Sequence, residues 1–133
     1  MTPPVESPSL PTGSRASFPS PPQKGGDGKG LLSVSLDLDN LWSYMKTHGD
    51  PGWESFPSYL DTVAEIVIDR MRKHALTITV FVVGQDAALV KNVPALRALA
   101  AAGHEIGNHS FHHEPWLDRY SPAQIEEEIR TAE

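Results

Sequence analysis

Leu31-Leu32-Ser33-Val34-Ser35-Leu36-Asp37-Leu38-Asp39-Asn40 decides the fold. After its first residue the run alternates, with Leu32, Val34, Leu36 and Leu38 on one face and Ser33, Ser35 and Asp37 on the other. That two-residue period is the mark of a half-buried strand. Asp39 continues the polar set, so if the extension persists both carboxylates point the same way, with Cα atoms about 6.5–7 Å apart. Like charges on one side of a strand repel, and burying them unpaired is costly, so the pair wants a cation or a shared proton. The plainer alternative is that Asp39-Asn40 begins a turn and Asp37 caps a neighbouring helix.

Further along, Asn40 to Trp53 contains Gly49, Asp50, Pro51 and Gly52 and reads mainly as a loop, long enough to border a site. Leu60, Val63, Ala64, Val67 and Met71 recur at helical spacing, predicting a helix over 57–74 with Pro57 at its first position. Thr77 to Val83 is β-branched and aromatic, a second strand expected to be buried on both faces and ended by Gly84. One helix or two short ones follow over 86–102, interrupted near Pro94 and terminated by Gly103. A short strand around His104 to Gly107 comes next, and Ser121-Pro122-Ala123-Gln124 has the form of a capping box opening a last helix. Strand, helix, strand, helix, strand, loop, helix specifies an α/β fold of parallel strands joined by right-handed crossovers.

The third strand leads into Gly107-Asn108-His109-Ser110-Phe111-His112-His113. Histidines at i and i+4 are neighbours on a helical turn, although here the pair follows a strand and an irregular turn is the alternative. One carboxylate and two imidazoles make a three-ligand site with positions open to water, the layout of catalytic metal centres, and a second carboxylate is then free to act as a base. With no cysteine in the chain, thiolate sites and disulfides are excluded. A lone His-x-x-x-His is more often a pair of ordinary loop histidines, and that alternative stands beside the metal reading. His112 is read as a surface bystander, or as a substitute for His113 were the turn wound differently. His104 is read as packed or hydrogen-bonded in its strand, and His48 as a loop residue. Trp42, Trp53 and Trp116 are read as core or loop anchors rather than sugar platforms.

Residues 1–30 are crowded with Pro, Ser and Gly and bury too little apolar surface to offset ordering, so they read as a disordered tail ahead of a domain at 31–133. The tail lacks the run of about 7–15 apolar residues of a secretory signal. No stretch reaches roughly 18 consecutive apolar residues, so no membrane span is expected and the location is read as cytoplasmic. The formal net charge is −6, which argues against a nucleic-acid partner. Glu126-Glu127-Glu128 is read as the solvated side of the last helix, with Ile125 and Ile129 turned inward.

Leu31 to Glu133 resembles the N-terminal portion of the polysaccharide deacetylase family, the NodB-homology domain. Asp37 and Asp39 match its first motif, usually Thr-Phe-Asp-Asp-Gly, and His109-Ser110-Phe111-His112-His113 matches its second, His-(Ser/Thr)-x-x-His. The preceding Gly103-His104-Glu105-Ile106-Gly107-Asn108 is also typical. The resemblance implies a distorted seven-stranded (β/α) barrel, incomplete in this chain. It implies Asp39, His109 and His113 as ligands of a divalent metal, zinc or a similar ion, with Asp37 as general base. It also implies that Ser110 steadies the loop by a hydrogen bond within the motif. The family's usual reaction is deacetylation of N-acetylated sugars, so the expected partner is a carbohydrate or small amide substrate. Leu38, inserted between the two acids, resembles superfamily members acting inside cells, some on cyclic imides or ureides. The later motifs, bearing an arginine, groove-lining aromatics and a histidine acid, have no counterpart in the 133 residues, so the expectation is a truncated domain. Its rival is a non-catalytic metal-binding fragment.

Overall fold

The computed structural model describes residues 32–133; the expected tail over 1–30 lies outside the described residues. Strands β1 (Ser35–Leu38), β2 (Thr79–Val82) and β3 (Glu105–Asn108) form one parallel sheet in the order β1-β2-β3. Asp37 pairs with Phe81, and Phe81 with Gly107, so these three share a row across the sheet. Two residues on, at the same face, the chain reaches Asp39 after β1 and His109 after β3. His109 N–H still donates to Val82 O (3.2 Å), which carries the ladder one step past β3.

The other face is the core. Val80 and Val82 of β2 and Leu38 of β1 pack against α2 (Leu60–Lys73) through Leu60, Ala64 and Val67, and against α4 (Val93–Ala101) through Ala95 and Leu99. β2 therefore alternates, with Val80 and Val82 buried and Thr79 and Phe81 half-buried, instead of being buried on both faces as its composition suggests. Only one side of the sheet is covered by these helices. Phe81 instead lies over Gly107, where a Cβ would stand 2.5 Å from its ring, and its ring centroid is 6.1 Å from that of His109.

The helices differ from the sequence reading in three places. Leu41–His48 forms a helix, α1, within the stretch read as loop; Gly49 (φ 75°) closes it, with the amides of Gly49 and Asp50 donating to Lys46 O and Met45 O. Packing explains it: Trp42 is buried and its Nε1–H donates to the buried Asp86 carboxylate (3.1 and 3.2 Å), which also accepts from Asn40 Nδ2 (3.2 Å). α2 begins at Leu60, because a 3-10 turn (Trp53–Ser55) occupies the approach and Pro57 falls short of the helix. The second crossover breaks before Pro94. Gly84–Ala87 is a short helix, α3, a 3-10 turn spans Val90–Asn92, and Pro94 lies in the first turn of α4.

The readings of His104 and of the last helix hold. His104 is buried and its Nδ1 accepts from Ile78 N–H (3.3 Å). The last helix, α5 (Pro122–Thr131), opens on a complete capping box between Ser121 and Gln124. Among the described residues, no helix is long and apolar enough to cross a membrane.

Candidate metal centre

Asp39, His109 and His113 converge at the C-terminal ends of β1 and β3, where parallel sheets gather their chemistry. Asp39 Oδ1 lies 3.3 Å from His109 Nε2 and 3.4 Å from His113 Nε2. Asp37 Oδ2 stands 4.0 Å from His109 Nε2 at the rim, its side chain 58% exposed against 12% for Asp39. The two acids are thus differentiated by burial: one inside the cluster, one facing solvent beside it.

Whether these residues fit a cation is decided by Asp39. Its Oδ1 is buried without a hydrogen-bond partner among the described residues, although two imidazoles flank it, while Oδ2 accepts from Tyr44 O–H (2.9 Å). An unsatisfied buried carboxylate oxygen is costly, and a cation between it and the two ring nitrogens removes that cost. The three candidate ligand atoms lie within 4.8 Å of one another, close enough for one cation to draw them together. Tyr44 donates to the oxygen that turns away. Its phenol is held above the ordinary value of 10.0 by that hydrogen bond and by the Asp39 charge.

The loop carrying the histidines is an irregular turn. Ser110 (φ 56°) and His113 (φ 53°) both occupy the left-handed region, which costs a non-glycine residue energy and persists only where neighbours over-determine it. Those neighbours are visible. Asn108 Oδ1 accepts from Ser110 N–H (2.9 Å), Ser110 Oγ accepts from His113 N–H (3.2 Å), and Gly84 and Gln85 N–H donate to Ser110 O and Phe111 O (2.9 and 3.0 Å). The hydrogen bond expected of Ser110 within the motif is present. Gly84 permits the contact: a Cβ there would stand 2.6 Å from Phe111 Cδ2 and 2.9 Å from Phe111 Cα. Lys46 on α1 pairs with Glu114 and reaches His112 O (3.4 Å), its Nζ 5.2 Å from the Trp53 ring centroid.

The sequence reading of the acidic run needs correcting. Glu128 is buried, and its carboxylate accepts from Phe111 N–H, His112 N–H and His112 Nδ1, while Ile129 is half exposed. Burial pushes the Glu128 carboxyl up, but the His112 amide and ring and the Phe111 amide draw it below the ordinary glutamate range. His112 accordingly turns away from the cluster to Glu128 and does not replace His113. Sequence reasoning also missed Tyr44, whose place depends on the unrecognised α1. The signal for Glu128 was present, since it lies three residues after Ile125 on the same helical face.

The family profile described as "Polysaccharide deacetylase" matches residues 50–133. The chain belongs to the polysaccharide deacetylase family. The match includes His109 and His113 and begins after Asp37 and Asp39, so the place of the two acids rests on the geometry above. A chitooligosaccharide deacetylase from Bradyrhizobium sp. (strain ANU 289) is 40% identical over 67 residues, 50% of this chain and 29% of that protein. The peptidoglycan-N-acetylmuramic acid deacetylase PdaA of Bacillus subtilis (strain 168) is 44% identical over 64 residues, 47% of this chain and 23% of that one. The aligned segments thus span under a third of these deacetylases. In fold, the chain resembles a CE4 family pseudoenzyme from Bacillus anthracis (TM-score 0.56, 16% identity, 79% of this chain and 30% of that one). It also resembles the Xyl-CE4 domain of a multidomain xylanase from the hindgut metagenome of Trinervitermes trinervoides (TM-score 0.52, 17% identity, 75% and 38%).

Proposed function

We propose that this chain carries the metal-binding half of a hydrolase that removes acetyl groups from N-acetylated sugars. Asp39, His109 and His113 hold the cation, zinc being an ion their nitrogen and oxygen donors suit, and Asp37 serves as general base. The observation that carries the reading is the buried, partnerless Asp39 Oδ1 between two imidazoles. A divalent ion there supplies Lewis acidity, polarising an amide carbonyl and lowering the pKa of water. Asp37, exposed at the rim beside His109, is placed to take the proton as water attacks the amide carbon. Cleavage of the C–N bond then leaves acetate and an amine, with the proton passing to the nitrogen. His109 and His113 turn their Nε2 atoms towards Asp39 Oδ1, where the ion would sit, and Tyr44 keeps Asp39 from rotating.

On the same reading, residues 31–133 form the N-terminal part of a seven-stranded NodB-type barrel, of which β1 to β3 are the first strands. Leu38 supports a second reading. It is buried in the core and separates the acids by one strand position, the variant similar to hydrolases of cyclic imides. The test is acetate release from N-acetylchitooligosaccharides, beside imide ring opening, by the zinc-loaded chain and its Asp37→Asn variant. Acetate production lost in Asp37→Asn supports the proposal. Ring opening alone favours the imide reading, and neither reaction with zinc bound at Asp39, His109 and His113 favours a metal-binding module without catalysis.

A further inference from the structure

The backbone between the two proposed ligands is gripped on both edges. Its carbonyl edge, at Ser110 and Phe111, accepts from the first two amides of α3. Its amide edge belongs to Glu128: Oε2 accepts from Phe111 N–H (3.2 Å) and His112 N–H (2.9 Å), and Oε1 pairs with His112 Nδ1. Glu128 is 8% exposed, and among the described residues its carboxylate hydrogen-bonds to these two alone. A carboxylate brought this far from water is retained at a cost, which these three donors offset. All three lie inside the five-residue turn whose ends are His109 and His113, and whose Ser110 and His113 adopt left-handed backbone. A turn in that conformation relaxes when its partners are removed, and its two imidazoles then no longer face one point.

We propose that Glu128 is a positioning residue of the metal centre: through the Phe111 and His112 amides it fixes the turn that aims His109 and His113 at a common cation. His112 is its secondary handle, and α5 becomes part of the site although none of its side chains belongs to the Asp39–His109–His113 cluster. The inference rests on the metal reading above and adds a residue to it.

The experiment is zinc titration by calorimetry of the metal-free chain, with cobalt(II) absorption as a report on ligand geometry. Wild type, Glu128→Gln, Glu128→Ala, His112→Ala and His109→Ala are compared, each with its thermal melt. Outer partners of metal ligands affect affinity by about 10- to 100-fold. Glu128→Ala should weaken zinc binding by a factor in that range. Glu128→Gln, which keeps a carbonyl for the two amides, should weaken it less, and His112→Ala least. The cobalt spectrum of Glu128→Ala should shift shape as well as amplitude, which a mere loss of stability would not produce. Should Glu128→Ala fail to fold, the comparison of Glu128→Gln with wild type decides. Wild-type zinc affinity and an unchanged cobalt spectrum in the folded Glu128 variants overturn the role. So does His112→Ala being as damaging as Glu128→Ala. If His109→Ala itself binds zinc like wild type, the ligand assignment has failed; if it loses zinc while the Glu128 variants keep it, only the positioning role has.

Discussion

Gly84→Ala is the most informative single-methyl perturbation. A Cβ at residue 84 would stand 2.6 Å from Phe111 Cδ2, 2.9 Å from Phe111 Cα and 3.0 Å from Ala132 Cβ. The ring can rotate away, but the Cα belongs to the histidine loop. Reaching an ordinary carbon–carbon contact of about 3.5 Å moves that backbone by about 0.6 Å. A metal constellation tolerates about 0.5 Å before its ligands lose their common focus. The two bonds from Gly84 and Gln85 to Ser110 O and Phe111 O lengthen together, so the displacement is delivered between His109 and His113. Over-packing costs about 1–3 kcal/mol, and alanine's helical preference over glycine returns up to about 1 kcal/mol. The folded state should therefore survive with a modestly lower melting temperature, while zinc affinity falls by about 10-fold or more. Calorimetric zinc titration of the two proteins, with melts of the metal-free forms, measures both. Equal zinc affinity in a folded Gly84→Ala protein would refute the idea that the start of α3 sets the histidine turn.

Tyr44→Phe removes the donor to Asp39 Oδ2, freeing that carboxylate to rotate, and should raise the zinc dissociation constant by about 10-fold with little change in melting temperature; equal affinity would show that Tyr44 is idle. Leu99→Ala empties a fully buried position between sheet and helix and should cost about 2–5 kcal/mol in urea unfolding, a loss under 1 kcal/mol contradicting the assigned core. Glu128, depressed below its ordinary 4.5, contributes stability that is present above that pH and is lost as pH falls through its folded value, so the metal-free chain should lose melting temperature on acidification below about pH 4.5. Glu128→Gln should flatten that acid limb, and an unchanged slope would mean that the carboxylate is not held as described.

The strands and the two motifs were legible because each is local. Period-two alternation marks β1, β-branched composition marks β2, and the histidine spacing needs no tertiary information. α1 was illegible because eight residues give too few turns for a period to stand out, and because its anchor is the Trp42 indole bonded to Asp86 across 44 residues. Glu128 was misread for a related reason. Three consecutive glutamates look solvated, and only the fold brings the amides of Phe111 and His112, 17 and 16 residues away in sequence, to one of them. Burial on both faces of β2 failed because the open face is filled by Phe81 over Gly107 beside the site rather than by a helix. What the sequence hides here is long-range polar satisfaction, which surrounds the candidate site on every side.

The central claim is that one cation is held jointly by Asp39, His109 and His113. Anomalous diffraction at the zinc edge, from crystals of the chain grown with zinc, tests it most directly. The account predicts a single strong peak about 2.0–2.2 Å from Asp39 Oδ1, His109 Nε2 and His113 Nε2. No peak among these three residues, or one seated on His112 and Glu128 instead, would contradict it.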